Sequence, residues 1–488
     1  MIAIILISVF MLTMIGIGIW GMRKTSSLND FFLGGRNVGP WVSAFAYGTT
    51  YFSAVLFIGF AGKLGWGFGL DTLWIAAGNT VFGSLLAWLV LGKRTRRMTK
   101  NLEAMTMPEF LQERYQGKYL KIFSAIIIFV FLLPYSASVF KGLGHLFEVN
   151  FGISYDIALL IMIGITGVYL VLGGYFAITL TDFIQGLIML LGCVALLAVM
   201  VGNGGGISEV IGKISENYAA HVPAGRRPGT LLLVSLVFMT SFGTWGLPHM
   251  VQKFYAIKNE AVITRAAIAT TLFSLVVAFT AYFNGAMSHI FYNELPMVNG
   301  NPAFDRLVPD MMTRFLPEGL MALILLLVLS ASMSTLSSLV LVSSSSVAID
   351  LYKGHVNPEI SAGNSLAMMR FLSAIFIALS YFIARYELGF IVTLMSLSWG
   401  AVAGAFMAPY LYGLYWKRTT RAGVVAGMVT GLTLAVVLFY VLGPANSPIA
   451  SSIAMIAPFF VVPLVSLFTA APDKAILDRA FAGVGRQK

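Results

Sequence analysis

The chain reads AFAYGTTYFS at residues 44–53, in the middle of a hydrophobic stretch long enough to span a bilayer. A second such stretch reads FGTWGLPH at residues 242–249. Both contain glycine, proline or hydroxyl residues that weaken a helix, and they fall at matching places in the two halves of the hydrophobic pattern. Backbone that leaves a helix inside lipid must be buried in protein or line a polar cavity. Paired breaks of this kind are typical of the binding site of a secondary transporter.

The composition indicates a polytopic helical membrane protein. The 488 residues are 58% hydrophobic and only 10% charged, which leaves too much apolar surface for a soluble chain to bury. The net charge of +11 does not indicate nucleic-acid binding, because the basic residues lie in short loops between hydrophobic segments. The single cysteine, Cys193, leaves no internal disulfide, and the five histidines have no metal-ligand spacing. We do not expect an enzyme, since no stretch outside the hydrophobic segments is long enough for a soluble catalytic domain.

Runs of about 18 or more apolar residues mark membrane-spanning helices. About thirteen are predicted, with approximate limits 1–21, 39–62, 71–93, 119–147, 156–174, 176–202, 229–252, 261–291, 315–347, 364–384, 388–416, 422–442 and 448–469. The segment 1–21 has neither a preceding cationic region nor a small-residue cleavage site, so we expect a retained span rather than a signal peptide. A tight turn at Gly173-Gly174 is predicted to separate the fifth span from the sixth.

The basic residues predict the orientation. Most of the 31 lysines and arginines lie in alternate loops, among them Arg23, Arg36, Lys93, Lys253, Lys353 and Lys417. Positive residues stay in the cytoplasm. We therefore predict a multi-pass protein of the bacterial inner membrane with its N-terminus outside and its C-terminus in the cytoplasm.

Hydropathy divides the chain into five parts, of which the second and fourth are five-helix units that each begin with an interrupted helix. Opposite loop charges at equivalent positions predict that the two units are inverted relative to each other. In order, the parts are a first extra helix with a cytoplasmic loop, a five-helix unit, an extracellular loop, a second five-helix unit, and two peripheral helices with a cytoplasmic tail: 1–38, 39–202, 203–228, 229–416 and 417–488.

Hydroxyl residues follow one face of the ninth predicted span. Ser330, Ser334, Ser337 and Ser338 have i, i+4, i+7, i+8 spacing. Hydroxyl oxygens are hard neutral ligands that suit a small hard cation, together with the carbonyls of an unwound helix. The alternative is that the serines only allow close helix packing. The neighbouring broken helix favours a cation site.

Asp182 is the only acidic residue that we place well inside a predicted span, near the cytoplasmic end of the sixth. A carboxylate there is costly and usually functional; the alternative is a residue bonded to nearby backbone at the start of a helix. Lys141 is the only basic residue deep in a span, and it shares a stripe with Ser138, His145 and Glu148. It is predicted to snorkel to the outer surface, to provide a counter-charge for a substrate carboxylate, or to stand in for a cation.

Aromatic and polar residues at the two breaks are candidates for a substrate cavity. They offer apolar surface with a few polar groups, as small-molecule sites do, although membrane aromatics also serve as packing and interface anchors. The candidates are Tyr51, Phe52, Ser53, Tyr135, Thr244, Trp245 and His249.

Several ordered motifs over most of the chain resemble the sodium:solute symporter family, whose members include sodium–proline, pantothenate, sialic acid and sodium–glucose transporters. They are FFLGGR at 31–36, GGY at 173–175, TDFIQG at 181–186, GLPH at 246–249, MSTLS at 333–337, DLY at 350–352 and GLYWKR at 413–418.

This resemblance implies a LeuT-like fold of five plus five inverted helices, with one extra helix before and two after. It implies a main sodium site formed by the Ser334 and Thr335 hydroxyls and by three carbonyls, those of Thr49, Phe52 and Ala331. Some members hold a second sodium ion at the equivalents of Asp182, Ser334, Ser337 and Ser338, so either one or two ions per cycle would fit. Arg36 matches a cytoplasmic arginine that is thought to affect coupling.

The match to proline symporters is incomplete. Tyr51 stands where they have an aspartate, and Thr240 and Thr244 stand where they have aromatics, although Tyr135 is shared. The segments around Tyr51 and GLPH look nearest to pantothenate- and monocarboxylate-type members. The arginine of the sialic acid carriers and the acid–amide set of the sugar carriers are missing.

The sequence therefore predicts a sodium-coupled symporter that imports a small organic solute by alternating access. We expect a carboxylated solute: a monocarboxylate, pantothenate or an amino acid such as proline. One alternative is proton coupling through Lys141 or Asp182. A weaker alternative is a membrane sensor that binds solute without moving it.

Overall fold

A computed structural model describes residues 2–24, 28–172, 175–298 and 300–484, which are almost entirely helical. The first ten helices are α1 Ile2–Lys24, α2 Leu28–Leu33, α3 Pro40–Tyr51, α4 Ala61–Phe68, α5 Leu73–Gly78, α6 Ala87–Asn101, α7 Met107–Tyr115, α8 Lys118–Phe151, α9 Tyr155–Leu172 and α10 Tyr175–Asn203. The next seven are α11 Ile207–His221, α12 Thr230–Phe242, α13 Pro248–Tyr255, α14 Ala261–Ala286, α15 Ser288–Phe291, α16 Phe304–Phe315 and α17 Glu318–Ser345. The last six are α18 Ala362–Arg385, α19 Ile391–Tyr415, α20 Arg421–Leu442, α21 Ser447–Ile456, α22 Pro458–Leu467 and α23 Lys474–Ala480.

Shorter elements join these helices. Wider π-helical turns cover Val55–Phe60 before α4, Asn79–Leu86 before α6 and Ser346–Val356 after α17. Strands β1 Met297–Val298 and β2 Asn301–Pro302 pair antiparallel in the segment before α16.

The first predicted break is confirmed in the backbone. Helix α3 ends at Tyr51, and Phe52 is extended, with φ −113° and ψ 128°. Ser53 starts the next helical segment, since its hydroxyl accepts from the Val55 N–H at 3.2 Å and its carbonyl accepts from the Leu56 N–H at 2.9 Å. A serine before a helix stabilises it by satisfying N–H groups that have no partner within the helix.

The second predicted break is also present. Helix α12 is followed by a tight turn over Gly243–Trp245, and α13 begins at Pro248. Leu247 is extended, as a residue before proline prefers, and Pro248 at the first helical position has no N–H to leave unpaired. The chain bends by 42° between Thr230–Trp245 and Pro248–Tyr255. Sequence and backbone therefore agree at both interruptions.

Within the described residues, ten helices are long and apolar enough to cross a membrane, or eleven if the bent pair of α12 and α13 counts as one span. One of them, Val55–Asn101, has 47 residues and contains Gly69, whose φ of 55° and ψ of −130° do not belong to a helix. A straight helix of that length would measure about 70 Å, more than twice the hydrocarbon thickness. The total of thirteen stays a prediction, and the Gly173-Gly174 turn lies outside the described residues.

The centre of the bundle is formed by α17 and α19, which are buried along most of their length. Helix α17 packs against α10, α8 and α3, while α19 packs against α8, α20 and α21. Segments predicted as loops between spans contain helices: α7 between the third and fourth predicted spans, α11 within 203–228, and all but the last residue of α16 between the eighth and ninth. Helix α16 packs on α8 and α4. The five-part division of the chain stays a prediction.

The contact between α4 and α14 generates a prediction about packing. A Cβ added at Gly285 would lie 2.1 Å from the Ala61 carbonyl oxygen, and this backbone cannot rotate away as a side chain could. We expect Gly285→Ala to lower the stability of the protein by about 1–3 kcal/mol, measured by thermal unfolding in detergent. Gly164→Ala in α9 is the control, because nothing lies within 4 Å of its added Cβ. Equal melting temperatures for the two variants would contradict the packing described here.

Candidate functional site

Buried hydroxyl and carbonyl oxygens lie between the broken end of α3 and the middle of α17. The Ser334 hydroxyl donates to Thr49 Oγ1 at 2.7 Å. Thr335 Oγ1 lies 3.0 Å from the Thr50 carbonyl oxygen and 3.1 Å from that of Ala331. It is also 3.5 Å from the Thr49 carbonyl oxygen. All five residues are completely buried, so the two helices enclose a group of neutral oxygens away from bulk solvent. Because these oxygens are a candidate site for a cation, we call them the first cation group.

The Thr49 and Thr50 carbonyls in this group are available because α3 stops. In a continuous helix the Ala54 N–H would donate to the Thr50 carbonyl. Here the Ala54 N–H donates to Ser332 Oγ of α17 at 3.0 Å, and the Thr50 carbonyl accepts the Thr335 hydroxyl instead. Helix α17 therefore satisfies both sides of the break, as buried backbone in a membrane requires.

The structure brings together four of the five residues predicted for the main sodium site: Thr49, Ala331, Ser334 and Thr335. The fifth, Phe52, is the first residue after α3, and it lines the neighbouring cavity. The Thr50 carbonyl joins the group although it was not predicted. Hydroxyl and carbonyl oxygens are the hard ligands that small hard cations prefer.

Two of the residues predicted for a second cation site contact a lysine. Asp182 of α10 and Lys253 of α13 are both almost completely buried, with Lys253 Nζ 3.4 Å from Asp182 Oδ2. The same Nζ donates to Ser338 Oγ at 2.9 Å. Ser338 Oγ is in turn 3.1 Å from Thr50 Oγ1, and the Ser337 hydroxyl donates to backbone of its own helix. An ammonium group therefore contacts two of the four predicted ligands.

Lys253 was predicted to lie in a loop. The structure places it on the short helix α13, with its side chain 2% exposed. A signal was present, because the apolar run ends at Val251 and three of the next four residues, Gln252, Phe254 and Tyr255, could also be buried. Asp350 and Asp305 are buried as well, so Asp182 is not the sole acidic group of the interior.

A cavity of about 20 Å³ lies beside the first cation group, at the level of both breaks. It is bounded by the first break, the π-helical turn Asn79–Leu86, and helices α8, α12, α14 and α19. Most of its lining is aromatic or aliphatic. The lining residues are Tyr51, Phe52, Ser53, Val55, Leu56, Phe60, Asn79, Tyr135, Thr240, Tyr282, Met395 and Trp399.

Polar groups in this cavity are partly paired and partly free. The Tyr51 hydroxyl donates to the Thr240 carbonyl at 2.6 Å, and the Thr240 hydroxyl lies 2.8 Å from Asn79 Oδ1. The Tyr282 hydroxyl and the Trp399 indole N–H are buried and make no hydrogen bond of good geometry within the described chain, although Asn79 lies near the first and Tyr135 near the second. Buried polar groups are normally paired. These two donors therefore mark positions where a solute could accept hydrogen bonds.

The predicted substrate residues divide between this cavity and its surroundings. Tyr51, Ser53 and Tyr135 line it. Thr244 and Trp245 instead bond to backbone: the Thr244 hydroxyl donates to the Ser241 carbonyl at 3.0 Å, and the Trp245 indole donates to the Phe82 carbonyl at 2.9 Å. The His249 ring lies 5.7 Å from the Tyr135 ring, centroid to centroid, behind the lining.

Lys141 lies away from the central cavity. Its Nζ is 3.1 Å from Asp305 Oδ2 of α16 and donates to the Gly389 carbonyl at 2.9 Å. These residues line a wider compartment of about 680 Å³, which also includes Glu387 and His145. The buried partner of Lys141 is thus a carboxylate of this chain, and the ion pair ties α8 to α16 between the compartment and the cavity.

Arg36 ties together segments on the opposite side of the cavity. Its guanidinium donates to the Ala104 carbonyl at 2.6 Å, to Thr99 Oγ1 at 3.2 Å and to the Tyr255 carbonyl at 3.4 Å. Burial, followed by the nearby charge of Arg96, lowers the pKa of Arg36 to about 10, so it remains charged at neutral pH. Its φ of 55° is a strained conformation that the surrounding contacts must hold.

The central cavity is too small to hold a solute. A volume of about 20 Å³ has room for one or two water molecules but not for an amino acid or a monocarboxylate. Solute binding then requires the helices around the cavity to separate.

The architecture and the site are those of a helical membrane transporter, and comparisons with known proteins define its family. A model of the sodium:solute symporter family matches residues 31–431. The chain belongs to the sodium:solute symporter family. It is 29% identical over 481 residues to the high-affinity proline transporter PutP of Bacillus subtilis, covering 96% of this chain and 98% of that protein. It is 31% identical over 446 residues to a sodium/proline symporter of Staphylococcus aureus, covering 86% and 83%.

Solved structures confirm the fold. The chain matches a substrate-bound, outward-open Na⁺-coupled sialic acid symporter with a TM-score of 0.79 at 16% identity, covering 97% of this chain and 98% of that one. It matches Mhp1, a nucleobase-cation-symport-1 family transporter, with a TM-score of 0.54 at 16% identity, covering 92% and 97%. The predicted all-helical fold with LeuT-like neighbours is confirmed, whereas the five-plus-five arrangement stays a prediction.

Two tyrosines of the cavity provide a matched test of its hydrogen bonding. Tyr51→Phe removes the donor to the Thr240 carbonyl, so we expect a loss of about 1–3 kcal/mol in stability. Tyr282→Phe removes a buried hydroxyl that makes no hydrogen bond of good geometry, so we expect thermal unfolding to be unchanged or slightly shifted to higher temperature. The reverse order of melting temperatures would show that the cavity is hydrogen-bonded differently.

Proposed function

We propose that this chain is a sodium-coupled symporter of the bacterial plasma membrane that imports a small carboxylated solute. In this proposal the N-terminus lies outside and the C-terminus lies in the cytoplasm. The observation that carries the proposal is the group of buried oxygens shared by the broken end of α3 and the hydroxyl face of α17.

The ligands support sodium as the transported cation. The carbonyls of Thr49 and Ala331 and the hydroxyls of Ser334 and Thr335 are neutral, so a bound monovalent cation meets no opposing positive charge among them. Thr335 Oγ1 lies 3.5 Å from the Thr49 carbonyl oxygen and 3.1 Å from that of Ala331, and the Ser334 hydroxyl donates to Thr49 Oγ1 at 2.7 Å, so the ligands are close together before the ion arrives. The hydroxyl protons can rotate away, and the oxygens then turn their lone pairs toward the cation.

Binding of the cation is expected to favour binding of the solute. The ion contacts both α3 and α17, and Phe52 and Ser53 at the same break line the solute cavity. A sodium ion that fixes this break also fixes the cavity wall, which makes solute binding more favourable. By thermodynamic reciprocity, the solute raises the affinity for sodium by the same factor.

The lining of the cavity supports a carboxylated solute. The Tyr282 hydroxyl and the Trp399 indole offer hydrogen-bond donors, and among the described lining residues no side chain is acidic. The helical segment that starts at Val55 directs the positive end of its dipole toward the break, which favours an anionic group there. Proline is one candidate because the relatives named above are proline transporters; monocarboxylates and pantothenate are the others.

In this proposal, alternating access depends on two sets of contacts, those of Lys141 and those of Arg36. Release of the Lys141–Asp305 contact would open the cavity toward the compartment of about 680 Å³, and release of the Arg36 contacts would open it toward the other side. Sodium and solute bind while the outer side is open. Opening of the inner side then releases both into the cytoplasm.

Uptake into proteoliposomes tests the proposal. Radiolabelled proline, pantothenate and small monocarboxylates are offered with an inward sodium gradient, with an inward proton gradient and with neither. We expect accumulation of at least one solute under the sodium gradient alone. Equal uptake in all three conditions contradicts the proposal, and accumulation driven only by protons selects proton coupling instead.

Thr335→Ala tests the cation site. The variant loses one hydroxyl ligand of a charged ion, so we expect the sodium concentration for half-maximal uptake to rise roughly 10- to 100-fold. Ser343→Ala is the matched control, since Ser343 is also a buried hydroxyl of α17 but has no hydrogen-bond partner in the described chain. A sodium dependence that is the same in both variants would remove Thr335 from the site.

A further inference from the structure

Each residue that would hold a second sodium ion already contacts a group of this chain, although Asp182 Oδ1 is buried without a hydrogen-bond partner in the described residues. Lys253 Nζ lies 3.4 Å from Asp182 Oδ2 and 2.9 Å from Ser338 Oγ. The other two predicted ligands are used elsewhere: the Ser337 hydroxyl donates to the Ser334 carbonyl at 2.8 Å, and the Ser334 hydroxyl donates to Thr49 of the first cation group.

The charges of Lys253 and Asp182 also balance each other. The Lys253 ammonium and the Asp182 carboxylate are the charged groups of this cluster within the described chain, and both are almost completely buried. A sodium ion added beside Asp182 would place two cations against one carboxylate in a region without solvent. The Tyr175 ring, 5.5 Å from Lys253 Nζ, provides a further favourable contact for the ammonium. The site therefore fits the ammonium and does not fit an additional sodium ion.

We propose that Lys253 is a built-in cation that occupies the second ion site, so that this transporter carries one sodium ion per cycle. The inference rests on the proposed sodium-coupled function and specifies its ion stoichiometry. A covalently attached ammonium has the same charge as sodium but is not released. The second site thereby becomes a permanent structural contact rather than a transport site.

The position of Lys253 also gives it a role in coupling. It lies on α13, the second half of the bent pair, and reaches α10 through Asp182 and α17 through Ser338. Ser338 Oγ lies 3.1 Å from Thr50 Oγ1, and the Thr50 carbonyl belongs to the first cation group. A continuous chain of polar contacts therefore connects the second interrupted helix with the sodium site at the first.

Saturation binding of radioactive sodium to the purified full-length protein tests the stoichiometry. We expect about one ion bound per molecule, and uptake that depends on sodium with a Hill coefficient of about one. Two bound ions, with sodium-driven uptake intact, would overturn this inference while leaving the proposed function standing. No bound sodium, with no sodium-driven uptake, would contradict the proposed function and this inference together.

Variants of the buried pair test the role of the ammonium directly. Lys253→Met removes the charge and leaves Asp182 beside the serine hydroxyls, so we expect a second sodium ion to bind. The double variant Lys253→Met/Asp182→Asn removes both charges, and we expect it to return to one ion. Lys121→Met is the control, because Lys121 is another buried lysine paired with carboxylates, Glu109 at 3.2 Å and Asp350 at 3.7 Å, and none of the predicted sodium ligands is among its partners.

The outcomes of these variants are distinct. A folded Lys253→Met protein that still binds one ion overturns the inference, as does a Lys121→Met protein that gains an ion. If Lys253→Met does not fold, the sodium count of the unmodified protein decides, and the double variant tests whether neutralising Asp182 restores folding. Folding is checked by a single symmetric peak in size-exclusion chromatography and by thermal unfolding.

Discussion

The structure depends on how the backbone groups left unpaired at the end of α3 find hydrogen-bond partners inside the membrane. A helix that stops at Tyr51 leaves carbonyl and N–H groups without partners, in a region where water cannot supply them. Helix α17 supplies these partners with hydroxyls, through Ser332 to the Ala54 N–H and through Thr335 to the Thr50 carbonyl. Ser332 and Thr335 of α17 are thus required by the backbone of another helix, and the proposed cation site uses oxygens of the same contact.

This arrangement explains how sodium and solute can influence each other's binding, because both sites are formed by the same short break in α3. The backbone at Thr49 and Thr50 faces the cation, and Phe52 and Ser53, a few residues later, face the solute cavity. Lys253 extends the connection to the second interrupted helix through Ser338. A transporter must prevent the ion from crossing alone, and a shared break that is ordered by both ligands provides that constraint in a physically direct way.

Much of the architecture was predictable, because hydropathy and helix-breaking residues act locally. Both interruptions lie where glycine, proline and hydroxyl residues predicted them. Of the four serines predicted to share a face of α17, Ser334 and Ser338 contact α3, whereas the Ser337 hydroxyl donates to its own helix and the Ser330 hydroxyl has no partner in the described chain. The pairing of charges was not predictable, because it depends on contacts between distant segments. Lys141 meets Asp305 and Lys253 meets Asp182 across 164 and 71 positions of sequence. Asn79, Tyr282 and Trp399 also line the cavity from helices that no local pattern connects with the breaks.

The most direct test of the central claim is a structure of the protein determined in saturating sodium at a resolution that shows bound ions. The account predicts ion density between the end of α3 and α17, coordinated by the Thr49 and Ala331 carbonyls and the Ser334 and Thr335 hydroxyls, and its loss when sodium is replaced by choline. Density for sodium elsewhere, with these oxygens still bonded directly to each other, would contradict it.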